Sequence, residues 1–216
     1  MIEPLPPAIL YEYWRSSASY RLRIALHLLG LGYESIPVDL LSGEQRSADN
    51  LARNPQGLVP TLIVDGLTLS QSLAAIEYLN ETREGHLLPK DAPGRARVRA
   101  LSYAIAMDIH PICNLRVAQQ AVALSDGAIL MENWMRAFIT PGLQAFEVML
   151  QSAGTGRFSH GDQVTLADIC LVPQVFNARR WSVDLSSLPL ISAICSRLDA
   201  EPAFARSVPT MNRLPL

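Results

Sequence analysis

The sequence predicts an α/β first half followed by an all-helical second half. Three observations carry this. Residues 8 to 89 alternate strand and helix signals, whereas beyond residue 90 the strand signal nearly vanishes. Asp65-Gly66 sits between two β-rich runs in LVPTLIVDGLTLS, the strongest short hairpin signal. LLPKDAPGR, residues 87 to 95, is a turn-rich link where the composition shifts. The predicted domains are residues 1–87 and 92–216.

In order, ILYEY reads as a strand, and residues 17 to 30 as an amphipathic helix ending at Gly30 or Gly32. Ser16, Ser17 or Ser19 can cap that helix. YESIPVDL reads as a strand, followed by a polar, irregular piece with Glu44, Gln45, Arg46 and Asp49. The hairpin comes next, then QSLAAIEYL with helical spacing from Gln71 and Ser72. The order β-α-β then β-β-α builds one mixed sheet with helices packed on it. Residues 95 to 124, 128 to 152, 166 to 180 and 188 to 207 support helix, broken by Gly and Pro. Thr165-Leu166-Ala167-Asp168 is a capping-box variant that starts the third of these, so Thr165 and Asp168 are structural. The last ten residues, with two prolines, read as a loosely held tail.

With 49% hydrophobic and 18% charged residues, the 216-residue chain has the composition of an ordinary globular protein. A net charge of −2 gives no reason to expect nucleic acid as a partner. No run approaches the roughly 18 apolar residues needed to cross a bilayer, so no membrane partner is expected. MIEPLPPAIL lacks the basic start and long apolar stretch of a secretion signal. Cys113, Cys170 and Cys195 are an odd number without a C-x-x-C pair. That argues against a disulfide framework and a zinc site, predicts no metal, and fits a reducing cytoplasm. Their simplest role is as small buried apolar side chains.

YWRSSASYRLRIAL is the most informative stretch. A helix start leaves amides without internal partners and carries the positive dipole end, so it seats an anion. Arg15, Arg21 and Arg23 cluster beside it. The anion can be a carboxylate, a phosphate or a thiolate; the turn holds no cysteine, so a thiolate must arrive on a small molecule. In Val59-Pro60-Thr61 a trans proline at a strand entry is the commoner state. A cis bond there would free the Val59 backbone for an extended ligand. Capping alone accounts for Ser72, yet a second helix start invites a carboxylate. In HPICNLR, Pro111 kinks a helical region, His110 and Asn114 share a face, and Arg116 flanks it. A lone His110 is more often a hydrogen-bonded core histidine than a catalyst, and Arg179 and Arg180 can simply satisfy the last carbonyls of their helix.

WRSSASYRLRIAL, NPQGLVPTL, QSLAAIEYL, IHPICNLRV and DQVTLADICLVPQV, in that order, resemble the zeta class of glutathione transferases and its maleylacetoacetate isomerases. The related bacterial maleylpyruvate isomerases are also similar. The resemblance implies the glutathione transferase fold: an α/β thioredoxin-like N-terminal domain plus an all-α C-terminal domain, in a homodimer. It implies a cis Val59-Pro60 bond and glutathione as cofactor. The γ-glutamyl end would lie at Gln71 and Ser72, the backbone against Val59, and the glycyl end near Gln45 and Gln56. His110 and Asn114 would approach from the helical domain. Where the zeta pattern reads Ser-Ser-Cys, this chain has Ser16-Ser17-Ala18. Ser16 is then the thiolate-stabilising hydroxyl and Ser17 its helper. Arg15, Arg116 and Arg179 are candidates for the carboxylates of a small dicarboxylate substrate, since arginine suits bidentate binding. The implied reaction is cis–trans isomerisation of maleylacetoacetate by thiolate addition, bond rotation and elimination. Maleylpyruvate as substrate, or a general transferase, is the alternative; a glutathione-binding structural protein is the non-enzymatic one.

Overall fold

The computed structural model describes residues 7–210. They form two compact units, one running to Gly85 and resuming at Glu201, the other spanning His86–Ala200.

The first unit is built on a four-stranded sheet. Its strands are β1 (Ala8–Glu12), β2 (Tyr33–Pro37), β3 (Thr61–Val64) and β4 (Leu67–Ser70), in the order β2-β1-β3-β4. β2 runs parallel to β1 because α1 (Ser17–Leu28) makes the crossover between them, while β3 and β4 are antiparallel. Asp65 and Gly66 both have positive φ, 53° and 75°, the backbone of a type I′ hairpin turn. Alternation sets the faces of β1. Leu10 and its register partner Leu62 are fully buried, whereas Tyr11 presents the other face, where Arg53 stacks 4.1 Å from its ring centroid.

Arg53 ends α2 (Ala48–Arg53), a helix in the piece expected to be irregular; a 3₁₀ turn, Glu44–Arg46, precedes it. Ser47 caps α2 by accepting the Asn50 amide at 3.2 Å. α3 (Ser72–Thr82) follows β4, and Arg83 beyond it grips Asp65 of the hairpin turn at 2.6 and 2.7 Å.

The second unit is helical: α4 (Ala92–Tyr103), a π-helical turn (Ala104–Ile109), α5 (Leu115–Leu124), α6 (Met131–Leu150), α7 (Leu166–Arg180) and α8 (Pro189–Asp199). Thr165 and Asp168 form the capping box at the start of α7: the Asp168 carboxylate accepts the Thr165 amide at 2.8 Å and the Ser159 amide at 2.9 Å. Burial pushes the Asp168 pKa up, against these donors.

α9 (Pro202–Ser207) differs from the expected division at 92–216, because it packs on α1 in the first unit. Phe204 is 1% exposed, and Arg23 donates to the Ser207 carbonyl at 3.1 Å. Ser207 was expected in a loose tail; it is fully buried and its hydroxyl lies 2.7 Å from His27 Nδ1. Residues 211 to 216 of that tail, and 1 to 6 of the stretch tested for a secretion signal, lie outside the described residues. Among the described residues no helix is long and apolar enough to cross a membrane.

Candidate functional site

The sheet register brings three segments to one end of the first unit. Tyr11 pairs with Thr61, and Thr61 with Ser70. The exit of β1 toward Ser16, the entry to β3 at Val59-Pro60 and the exit of β4 to Gln71-Ser72 are therefore neighbours.

Of the three serines that could cap α1, Ser16 does so, accepting the Ser19 amide at 3.2 Å. The amides of Ser17 and Ala18 meet no acceptor among the described residues and remain open donors at the positive helix end. Arg15 is half-buried beside the turn, its guanidinium 5.2 Å from the Trp14 ring centroid and 5.9 Å from that of Tyr13. No carboxylate of the described residues pairs with it. Arg23, read in the sequence as part of the same basic cluster, belongs elsewhere. It is fully buried, ion-paired with Glu12 and bonded to the carbonyls of Trp14 and Ser207, so its charge is spent on packing.

The Val59-Pro60 bond is cis, and the Val59 N–H and C=O have no hydrogen-bond partner among the described residues. Gln71, at the cap of α3, has φ 67° and ψ 104°, a sparsely populated conformation for a residue with a side chain. Its Nε2 donates to Gln56 Oε1 at 2.9 Å. Ser72 is buried and accepts from Arg21 Nη1 at 3.2 Å. That bond ties the two helix starts together, with Arg21 one turn beyond Ser17 on α1. The sequence placed Arg21 near the anion seat without giving it this partner; its spacing of four from Ser17 was the available signal. Gln45 is half-buried, and its Oε1 is a buried acceptor with no partner among the described residues.

In the helical unit, Pro111 lacks an N–H and the preceding helix widens into the π turn, with the His110 amide bonded to the Ile105 carbonyl at 2.9 Å. Ile109 nests in α6 at Gly142, where a Cβ would meet its side chain at 2.5 Å. Asn114 caps α5 by accepting the Arg116 amide at 3.1 Å, and Arg116 is exposed in the first turn. Arg179 stands apart from this group. It is exposed at the end of α7 with Asp199 of α8 at 3.9 Å, and no described contact joins it to residues 110–116. Cys113, Cys170 and Cys195 are free and buried, and burial pushes the Cys113 thiol up to about 11 and Cys195 up to about 12. Neither Cys113 nor Cys195 offers a thiolate near neutrality.

A half-buried basic turn, open helix amides and an unpaired backbone edge, all at one sheet end, make a seat for an extended anionic ligand. Known proteins agree with this geometry. Residues 6–81 match the glutathione S-transferase N-terminal domain. The chain is 59% identical over 203 residues to the maleylacetoacetate isomerase of Rhizobium meliloti (strain 1021), covering 93% of this chain and 95% of that one. The holo structure of a bacterial zeta-class maleylpyruvate isomerase superposes with a TM-score of 0.89 at 44% identity, covering 93% and 96% of the two chains. A maleylacetoacetate isomerase from Anaeromyxobacter dehalogenans 2CP-1, with dicarboxyethyl glutathione and citrate bound in its active site, superposes with a TM-score of 0.85 at 41% identity over 97% and 98%. The chain belongs to the zeta-class glutathione transferases, in their maleylacetoacetate isomerase family.

Proposed function

We propose that this enzyme is a glutathione-dependent cis–trans isomerase of maleylacetoacetate. The observation that carries the reading is the meeting of Ser16, Val59 and Ser72 at one sheet end, with Arg21 bonded to Ser72. The residues there fit the tripeptide. Ser72 and the start of α3 suit the γ-glutamyl carboxylate, the open Val59 backbone the cysteinyl unit, and the Gln45 side-chain amide, with Gln56 beside Gln71, the glycyl end. Bound glutathione supplies the sulfur nucleophile whose reversible addition to the cis double bond permits rotation about it.

Ser16 and the amides of Ser17 and Ala18 hold that sulfur as the anion. A free cysteine thiol has a pKa of about 8.5, and lowering it by one unit takes about 1.4 kcal/mol. One or two charge-assisted hydrogen bonds supply that much. Arg15 is the candidate for a substrate carboxylate in the first unit; in the helical unit His110, Asn114 and Arg116 are the candidates for ligand contacts. Arg179 is a further carboxylate candidate that already faces Asp199 across an exposed contact worth about 0–1 kcal/mol.

Maleylpyruvate is the second reading, favoured by Ala18 in place of the zeta cysteine and by the likeness to a maleylpyruvate isomerase. Steady-state assays with both maleyl substrates, each with and without glutathione, separate the two. The primary reading expects higher kcat/KM for maleylacetoacetate and no turnover without the thiol. The opposite preference establishes the second, and thiol-independent turnover rejects both. A homodimer in the cytoplasm completes the proposal, with sedimentation expected to give twice the 23.7 kDa chain mass.

A further inference from the structure

Two asparagines beneath the glycyl side of the site are more deeply buried than any residue proposed to touch the ligand there. Asn50 is 1% exposed and Asn54 is 2% exposed. They sit one turn apart, on α2 and at its C-cap. Asparagine disfavours helix, and a buried carboxamide is costly unless bonded, so these two need a compensating role. Their hydrogen bonds show what it is. Asn50 Nδ2 donates to the Gln45 carbonyl at 2.9 Å. Asn54 Oδ1 accepts the Gln56 amide at 3.1 Å, and its Nδ2 donates to the Leu58 carbonyl at 3.0 Å, next to Val59. Between them, Gly57 at φ 61° approaches so closely that a Cβ would lie 3.2 Å from the Gln45 carbonyl oxygen. The two loops that carry Gln45 and Gln56 are thus fixed against each other from below.

We propose that Asn50 and Asn54 are positioning residues for glutathione recognition: Asn50 sets Gln45 for the glycyl end, and Asn54 sets Gln56 and the Val59 edge. Neither touches the ligand. The inference rests on the reading that Gln45 and Gln56 receive the glycyl end, and it makes the two asparagines separable. Releasing Gln45 affects the glycyl end alone. Releasing Gln56 and Leu58 together loosens the edge that meets the cysteinyl unit as well.

Calorimetric binding of glutathione and of γ-glutamylcysteine, which lacks the glycyl residue, tests this without turnover. Asn50→Asp keeps the shape but turns an acceptor toward the Gln45 carbonyl, and Asn50→Ala removes the bond; thermal unfolding checks that each variant is folded. Loss of one such hydrogen bond corresponds to about tenfold in affinity. The expected result is about tenfold weaker glutathione binding by the Asn50 variants, with γ-glutamylcysteine held within about twofold, and weaker binding of both ligands by Asn54→Ala. Equal losses for the two ligands in a folded Asn50 variant, or no loss, overturn the proposal for Asn50; unchanged binding in Asn54→Ala overturns it for Asn54. If the unmutated chain shows no preference for glutathione over γ-glutamylcysteine, the glycyl-end reading itself fails. A preference that survives Asn50→Asp contradicts only the role given to Asn50.

Discussion

Ser16 caps α1 and can still serve chemistry, because a hydroxyl has two acceptor lone pairs and one proton. The Ser19 amide occupies an acceptor site, so the proton remains for a sulfur anion. Ala18 matters less than its position in the zeta pattern suggests. Its side chain is buried while its amide stays open at the helix start, so replacing the cysteine leaves that donor in place. Arg15→Ala should lower kcat/KM for the dicarboxylate about tenfold to a hundredfold, the value of one charge-assisted bond, with glutathione affinity unchanged by calorimetry. Undiminished turnover removes Arg15 from the site. The place of Arg15 beside the start of α1 was legible because it directly precedes Ser16 in the sequence. The isolation of Arg179 was not, since only the tertiary placement of Asp199 shows what it faces.

Among the elements, the hairpin was the most legible, for Asp-Gly supplies the two positive φ values its turn requires. α2 was the least legible. It has six residues, and its buried asparagines bond to loops on either side, so tertiary contacts hold a helix that local pattern does not announce. The hairpin turn also carries a pH signature. Hydrogen bonds from Arg83, then from Tyr78, hold the Asp65 pKa below its ordinary 3.8. A carboxylate with a depressed folded pKa stabilises the native state above its unfolded pKa, and that contribution is lost as pH falls through the folded value. Stability should therefore drop as pH falls below about 4, and Asp65→Asn should show a shallower drop in urea midpoints across that range. An identical acid slope in the variant rules this contact out as a source.

On the scale of the whole molecule, α9, the last helix among the described residues, closes the first unit. Arg23, buried in α1 and paired with Glu12, reaches the Ser207 carbonyl, so the ion pair and the C-terminal turn are secured together. The composition shift near residue 90 marked one boundary, but the return at Glu201 left no such trace. Pro202 marks a break within residues 188 to 207, but only the packing of α9 on α1 shows that the last piece joins the first unit. Phe204→Ala should cost about 3–5 kcal/mol, read as a lowered denaturation midpoint. A loss below about 1 kcal/mol would show that α9 is not part of that core.

The most direct test of the account is the ionisation of glutathione in the binary complex, followed by ultraviolet thiolate absorbance against pH. Bound to the unmutated protein, the thiol should titrate at least one unit below its free value of about 8.5, and Ser16→Ala should return it most of the way. A thiol that titrates in the complex as it does in water would contradict the account.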